Sequence, residues 1–222
     1  QDAGEAAKMA NAPQSGAYAI QQLVERIEEF DFPVMIAAEW GHDTRLFELL
    51  KNPHTSNKRK LKILSLLPQV QSHEALPFLK DIIRDKDLAE EAIVALSTTG
   101  SDAIPLLTGI FQSQTDSTIR AAAAKGLGDI GAHTGDPTIT PPLLNYLIDT
   151  LPHIKTSTDI DFPVLTEVVW SLGKLRNEKS IKPIIELQGK VWLIHDTSKE
   201  MAELREATSW TYKQIDMDWQ VQ

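Results

Sequence analysis

The sequence predicts an all-α protein built as a solenoid of two-helix repeats. Apolar residues recur at helical spacing along most of the chain, short breaks rich in Gly, Pro, Asn and Ser separate these stripes, and two short patterns recur at related positions. The first stripe, at residues 17–30, places Ile20, Leu23, Val24 and Ile27 on one face. No segment alternates polar and apolar residues between turn signals as a β-hairpin does.

Similar stripes predict the remaining helices in chain order. They lie at about 44–51, 57–67, 73–84, 88–98, 102–112, 117–130, 139–151, 162–175, 179–194 and 198–214. Most of the breaks between them are short, which indicates that successive helices pack as antiparallel neighbours.

Internal repetition indicates how these helices pair. A small or apolar residue, any residue, Pro and two apolar residues recur at helix starts, at 75–79, 103–107, 140–144 and 181–185. Proline is tolerated there because the first helical turn leaves its missing N–H without a partner anyway. A small–Leu–small pattern is centred on Leu96, Leu127 and Leu172. A two-helix unit of about 30 residues cannot bury its apolar face alone, so such units stack.

A longer echo supports the same pairing. Asp-Phe-Pro-Val at 31–34 leads to Trp40, and the same four residues at 161–164 lead to Trp170 with identical spacing. Asp is a good N-cap, so both segments are predicted to be second helices of equivalent repeats. The wider spacing before Leu172 predicts a longer insert at 132–161.

These patterns resemble the HEAT-repeat family, in particular the short HEAT-like type associated with phycobilisome lyases. The residues that carry the resemblance are 75–100 and 103–131, with fainter copies at 46–67 and 142–175. It implies a right-handed α-solenoid of about five HEAT-like repeats over 17–196, after a polar lead at 1–16 and before a C-terminal capping helix and aromatic tail at 197–222. Function stays open, because such repeats occur in scaffolds, chromophore lyases, hydroxylases and DNA glycosylases.

Composition excludes several classes of function. The chain has 22 basic and 31 acidic residues, a formal net charge of −9, which argues against a protein dedicated to gripping phosphate backbones. It has no cysteine, so thiol catalysis, disulfides and cysteine-ligated metal sites are excluded. No apolar run approaches the ~18 residues of a membrane span.

No motif predicts catalysis, a cofactor or a metal. Residues 126–131 spell G-x-G-x-x-G, but the motif closes an alanine-rich helix instead of following a strand, so we interpret it as helix packing with Gly131 as a C-terminal cap. HEAT-like hydroxylases hold di-iron through repeated His-Glu pairs, whereas this chain has one such pair, His73-Glu74. No G-x-S-x-G sequence marks a nucleophile. We therefore expect a non-enzymatic protein with no cofactor.

The predicted second helices supply candidate partner-binding residues. Segments 31–41, 57–67, 88–98, 117–130 and 161–175 are expected to line the inner face of the solenoid. Their polar positions are Lys58, Arg59, Lys60, Lys62, Glu90, Glu91, Arg120, Lys125, Glu167 and Lys174. The insert 132–161 is a second candidate, because long inserts in repeat arrays often lie on a binding face.

Two local features have two interpretations each. Residues 51–62 carry five cations and no acid, with Lys58, Arg59 and Lys60 in a predicted first helical turn, which fits a solvated face or a site for an acidic partner. Near the C-terminus we expect Trp192 to be a core residue. Trp210, Tyr212 and Trp219 fit either a docking anchor or a cap that folds back on the last repeat.

The function predicted from these observations is a protein-interaction scaffold or accessory subunit of a larger assembly. It would bind protein partners through the inner face, the C-terminal aromatic end or both. One alternative is a lyase-like or accessory subunit that handles a chromophore- or cofactor-bearing protein. A nucleic-acid-binding HEAT-like protein is a second. The start at Gln1 and the lack of cysteine slightly favour an exported protein over a cytoplasmic one.

Overall fold

The structure is a computed structural model that describes residues 43–70 and 76–219. Ten α-helices and no strand lie within those residues, so the predicted all-α class is confirmed. The lead at 1–16, the helix at 17–30, the segment 31–41 and the pair His73-Glu74 lie outside the described residues. The chain divides into two compact units, with the boundary between Thr98 and Thr99.

The described part of the first unit contains two helical hairpins. Its helices are α1 (Asp43–Lys51), α2 (Asn57–Val70), α3 (Leu76–Ile82) and α4 (Ala89–Ser97). Helix α1 packs on α2 and α3 packs on α4, while α1 also contacts α3 and α2 contacts α4. Each hairpin is therefore one repeat, with first helices and second helices in separate layers. The largest side chains sealed in this core are Phe47, Leu46, Leu50, Ile63, Leu64, Leu79, Leu88, Ile93 and Leu96.

The second unit contains three more hairpins. Its helices are α5 (Ile104–Ser113), α6 (Ser117–Thr134), α7 (Thr140–Thr150), α8 (Phe162–Leu175), α9 (Ile181–Leu193) and α10 (Lys199–Trp219). Helices α5, α7 and α9 each pack on the helix that follows them, and α6, α8 and α10 pack side by side in that order. The helix predicted at 198–214 is thus the second helix of a hairpin and lies against α8.

Local sequence explains where these helices begin and end. Asp116 caps α6 by accepting hydrogen bonds from the backbone N–H of Thr118 at 2.9 Å and of Ile119 at 3.3 Å. Helix α6 ends at Gly135, whose φ of 66° is in the left-handed region that glycine adopts at low cost. The expectation that Gly131 caps this helix is wrong. Gly131 is buried inside it, where a Cβ would overlap the side chain of Leu175.

Small residues allow the second helices of the second unit to approach closely. A Cβ on Gly128 of α6 would overlap the Ser171 side chain of α8, and one on Gly173 of α8 would lie 2.5 Å from the Trp210 ring of α10. Gly128 and Gly131 of the G-x-G-x-x-G sequence are therefore packing residues, as predicted. The motif has no preceding strand in the part of the chain that the structure describes.

The insert at 132–161 is folded. It contains α7 and the 3-10 turns Leu151–His153 and Ser157–Asp159. Asp159 accepts hydrogen bonds from the backbone N–H groups of Lys155 at 3.0 Å and Thr156 at 2.8 Å, which closes the second turn. Ile154 and Ile160 are buried on either side of it. The insert therefore contributes buried residues to the core of its unit, while many of its other residues are exposed.

Candidate interaction site

An aromatic pair lies where α8 and α10 meet. The ring centroids of Trp170 and Trp210 are 5.0 Å apart and the rings are tilted by 56°. Both side chains are half-buried, so part of each ring faces solvent. Gly173 makes room for Trp210, because a Cβ at that position would collide with the ring. This pair therefore forms an accessible aromatic surface on a rigid part of the second unit.

A half-buried carboxylate lies one helical turn before Trp170. Burial raises the pKa of Glu167 above its ordinary value, and the charges of Asp129 and Glu203 act in the same direction. Lys125 and Lys174 partly offset this effect. Glu203 lies on α10, seven residues before Trp210 and on the same face of the helix. We call the surface formed by Glu167, Trp170, Glu203 and Trp210 the acidic–aromatic groove.

The structure brings three of the predicted residues together beside this groove. Lys174 donates to Asp129 Oδ1 at 2.7 Å. This ion pair joins α8 to α6. Lys125 is exposed on α6, and its positive charge acts to lower the pKa of Glu167. Lys125, Glu167 and Lys174 thus lie on one surface, as predicted for second helices. Glu167 has no hydrogen-bonding counterpart among the described residues, which leaves its carboxylate available.

Arg120 lies apart from this cluster and packs against two aromatic residues at the edge of the core. Its Nε donates to the Phe111 carbonyl oxygen at 3.1 Å, and its guanidinium carbon lies 5.7 Å from the Phe111 ring centroid and 5.1 Å from that of Tyr146. Burial raises the pKa of Tyr146, an effect that Asp161 increases and Arg120 opposes. A side chain held in this way joins α5, α6 and α7, so its visible role is structural.

The C-terminal aromatic residues occupy different surroundings. Trp210 packs on α8, whereas Tyr212 is half-buried and lines a cleft of about 590 Å³ beside Ile185 of α9. Trp219 is the last residue of α10, and its side chain is outside the description. The packing of α10 on α8 shows the fold-back of the predicted cap. It leaves one side of Trp210 facing solvent, so a docking role stays a prediction.

The expectation that Trp192 is a core residue is wrong. Its side chain is 62% exposed, and that of the next residue, Leu193, is 81% exposed. Helix α9 turns Val191 inward, which leaves Trp192 and Leu193 on its outer side at the end of the helix. Arg205 partly covers Trp192, with its guanidinium carbon 5.4 Å from the ring centroid.

The basic residues of segment 51–62 do not all lie on one surface of the first unit. Helix α2 begins at Asn57, so Lys58, Arg59 and Lys60 lie in its first turn, as predicted. Lys58 and Lys62 line an open cleft of about 570 Å³ together with Glu91 of α4. Arg59 and Lys60 are half-buried outside that lining, and Glu90 is exposed at the start of α4. The cleft therefore presents two basic side chains and one acidic side chain.

Among residues 43–70 and 76–219, no group of three or more His, Cys, Asp or Glu side chains is placed to hold a metal ion. Within the same residues, no helix is both long enough and apolar enough to span a bilayer.

Two family models match the chain. Residues 44–128 match the model of HEAT repeats, and residues 119–149 match that of the PBS lyase HEAT-like repeat. The predicted resemblance to short, lyase-type HEAT-like repeats is therefore confirmed, and the hairpins α1–α2 to α5–α6 coincide with the first match. The curated proteins include no sequence that matches the chain.

Solved structures support the same fold class. An engineered protein from the Northeast Structural Genomics Consortium is 18% identical, with a TM-score of 0.58 over 98% of this chain and 99% of that one. A designed armadillo repeat protein in complex with the peptide (KR)4 is 15% identical, with a TM-score of 0.53 over 94% and 98%. At these identities the likeness concerns the fold. The chain is an α-solenoid repeat protein, a class that generally serves as a protein-interaction scaffold.

Sequence reasoning missed Asp129, Trp170 and Glu203 as members of the site. In the sequence, Trp170 marks only the end of a repeated segment, and Glu203 lies in the predicted C-terminal capping helix. A usable signal was present in the spacing, because Glu167 and Trp170 are three residues apart and Glu203 and Trp210 are seven apart. Both spacings put an acid and an aromatic residue on one helix face.

Proposed function

We propose that the chain is a non-enzymatic interaction module that binds a cationic segment of a protein partner in the acidic–aromatic groove. The observation that carries the proposal is Glu167, a half-buried carboxylate beside the Trp170–Trp210 pair. Lys125 and Lys174 offset only part of the cost of burying this carboxylate, because its pKa is still raised, so a cationic side chain bound there would relieve more of that cost.

The two chemical parts of the groove favour the same ligand group. A lysine or arginine over an indole face gains about 0.5–2 kcal/mol from the ring's electrons, and a neighbouring carboxylate adds a charge-assisted hydrogen bond. Arginine is the better fit, because its planar guanidinium can stack on an indole and donate to a carboxylate at once. The two ring faces and two carboxylates would accept one or two such side chains.

Charge over a longer range supports this choice. The net charge of −9 attracts cationic segments and raises their rate of encounter, although it selects no site. The designed armadillo protein described above has the same type of fold and is in complex with the peptide (KR)4. That complex shows that a repeat protein of this fold can bind a cationic peptide, and the peptide provides a probe for this chain.

The proposal also includes the other predicted contact residues, as additional surfaces for a protein partner. In the first unit, Lys58, Lys62 and Glu91 line one cleft and present mixed charge to a partner. Arg59, Lys60 and Glu90 flank that cleft on the same two helices. Tyr212 lines a separate cleft on α9 and α10, and Trp219 ends α10.

The experiment is a titration of the full chain with fluorescein-labelled (KR)4, followed by fluorescence anisotropy. Glu167→Gln keeps the shape of the side chain and removes its charge, so we expect binding to weaken about tenfold. The matched control is Glu186→Gln, which removes an exposed charge from α9 and should change affinity by less than about twofold. If both variants lost the same affinity, the effect would come from net charge alone, and the proposal would be wrong.

The match to the PBS lyase HEAT-like repeat favours one second candidate, an accessory subunit for a chromophore- or cofactor-bearing protein. Its test is the absorbance spectrum and intact mass of the chain after purification from its native source. A bound prosthetic group, or a stable companion that carries one, would favour it. Binding of nucleic acid is disfavoured by the carboxylates of the groove and would appear as salt-sensitive binding to duplex DNA.

A further inference from the structure

A second cleft in the Thr99–Gln222 unit combines apolar surface with positive charge. It has a volume of about 430 Å³ and lies between the turn after α7 and the end of α9. Its apolar lining comes from Ile154, Leu193 and Ile194. Leu193 is 81% exposed, the largest exposed fraction among the large apolar side chains of the described residues. A leucine at the rim of a cleft is a ready contact for an apolar group of a ligand.

Three basic residues line this cleft. Lys155 comes from the turn, Lys190 from the last turn of α9, and His195 from the residue pair after that helix. No Asp or Glu of residues 43–70 and 76–219 belongs to the lining. This composition stands out in a chain with nine more acidic than basic residues, 31 against 22.

The carboxylates nearest to the cleft already have donors. Asp159 accepts from the backbone N–H of Lys155 and Thr156, and from the Thr156 hydroxyl at 3.0 Å. Asp196 accepts from the Ser198 backbone N–H at 2.7 Å. These hydrogen bonds hold both carboxylates at the local turns, although Lys155 interacts electrostatically with Asp159 and Asp196 also bonds with Ser157, a residue of the cleft. Neither carboxylate lines the cleft itself, whose described lining includes Lys155 and Lys190.

Arg205 binds the carbonyl oxygens at the end of α9, beside the cleft. The end of a helix presents free carbonyl oxygens and a partial negative charge, which would repel a carboxylate. Here the guanidinium of Arg205 donates to the carbonyl oxygens of Val191 at 3.0 Å, Ile194 at 2.8 Å and Asp196 at 3.0 Å. These bonds satisfy carbonyl oxygens at the end of α9, on the side of the cleft to which Lys190 belongs.

We propose that this cleft docks a protein segment in which acidic and apolar side chains alternate, with an apolar side chain on Leu193 and a carboxylate between Lys155 and Lys190. The occupant follows from charge complementarity, since a basic lining with an apolar rim excludes cationic and wholly polar segments. The site is independent of the acidic–aromatic groove, which takes the opposite charge. One chain would then hold two partner segments of opposite sign.

The test uses the full chain and a labelled octapeptide that alternates glutamate and leucine, measured by fluorescence anisotropy. Leu193→Ser is expected to weaken binding about tenfold or more, because the variant loses the apolar surface that the peptide's leucine would bury. Lys190→Glu should weaken it by a similar factor and reduce its dependence on salt. Ile148→Ser, at a residue of α7 that is 44% exposed, is the control and should leave affinity unchanged.

Peptide chemistry and competition make the result decisive. A peptide with glutamine in place of glutamate should bind at least tenfold more weakly, and unlabelled (KR)4 should not displace the acidic peptide. Equal binding of the glutamine peptide, or equal affinity for all three variants, would overturn the proposal. So would dimerisation of the chain that Leu193→Ser abolishes, since the cleft would then serve a second copy. Because all three substituted side chains are at the surface, circular dichroism should show unchanged helix content.

Discussion

Ser171 donates its hydroxyl to the carbonyl oxygen of Ala124, 2.9 Å away, and both atoms are buried between α8 and α6. Thr211 makes the corresponding bond one hairpin later, from α10 to the Val169 carbonyl oxygen of α8 at 2.8 Å. In each case a hydroxyl on one second helix reaches the main chain of the preceding second helix. The contact is possible because glycines on one of the two facing helices keep the backbones close.

Filling the space opposite Ser171 should destabilise the second unit. Gly128→Val would push its side chain into Ser171, and overpacking of this kind costs about 1–3 kcal/mol. Gly109→Ala is the matched control, since a Cβ there meets nothing and alanine is favoured in a helix by about 1 kcal/mol. Urea denaturation should place the midpoint of Gly128→Val below that of the parent and the midpoint of Gly109→Ala at or above it.

Loss of the Thr211 hydroxyl should be measurable separately. Thr211→Val keeps the shape of a fully buried side chain and removes its bond to Val169, so we expect a loss of about 1 kcal/mol in the free energy of unfolding. Thr118→Val makes the same chemical change at an exposed position of α6 and should be nearly neutral. Similar values for the two variants would show that the buried bond adds nothing.

Arg205 should resist even its most conservative replacement. Lysine keeps the positive charge but cannot donate to three carbonyl oxygens in one plane, so Arg205→Lys should lower the free energy of unfolding by about 1.5–3 kcal/mol. Lys213→Gln, on an exposed position of the same helix, serves as the control. Arg205→Lys should also make Trp192 more accessible to a fluorescence quencher, because the guanidinium that covers the ring is gone.

The raised pKa of Glu167 predicts a pH dependence with a definite sign. In the window above its ordinary value of 4.5, the folded chain holds the proton more tightly than the unfolded chain does. Stability from this group therefore falls as the pH rises through that window. Glu167→Gln should gain stability relative to the parent between pH 4 and pH 7, as followed by denaturation at each pH. A constant difference across that range would contradict the shift.

The pattern of repeats was sufficient to predict the helices, and its success has a physical reason. Stripes such as that in 117–130 follow from burial of one helix face, which local spacing records directly. The prolines at 105 and 142 and the cap at Asp116 also act within one turn of the chain. For the same reason the expected basic first turn at Lys58 was correct.

The candidate site was harder to predict, because it joins residues that are distant in the chain. Nothing local indicates that Trp170 meets Trp210, 40 residues later, or that Asp129 takes up the charge of Lys174. The error at Trp192 arose because an apolar run was assumed to be buried, whereas the helix ends there and Arg205 covers the ring from another helix. The error at Gly131 arose because a packing glycine and a capping glycine are identical in sequence.

The hydroxyl bonds between second helices end on main-chain oxygens, those of Ala124 and Val169. A main-chain acceptor is supplied by whichever amino acid occupies the position, so the accepting helix can change its sequence without losing the bond. Stacking of the hairpins therefore constrains few residue identities. The outward positions are free to diverge toward new ligands while the architecture persists, in keeping with solved proteins of the same fold that are only 13–18% identical.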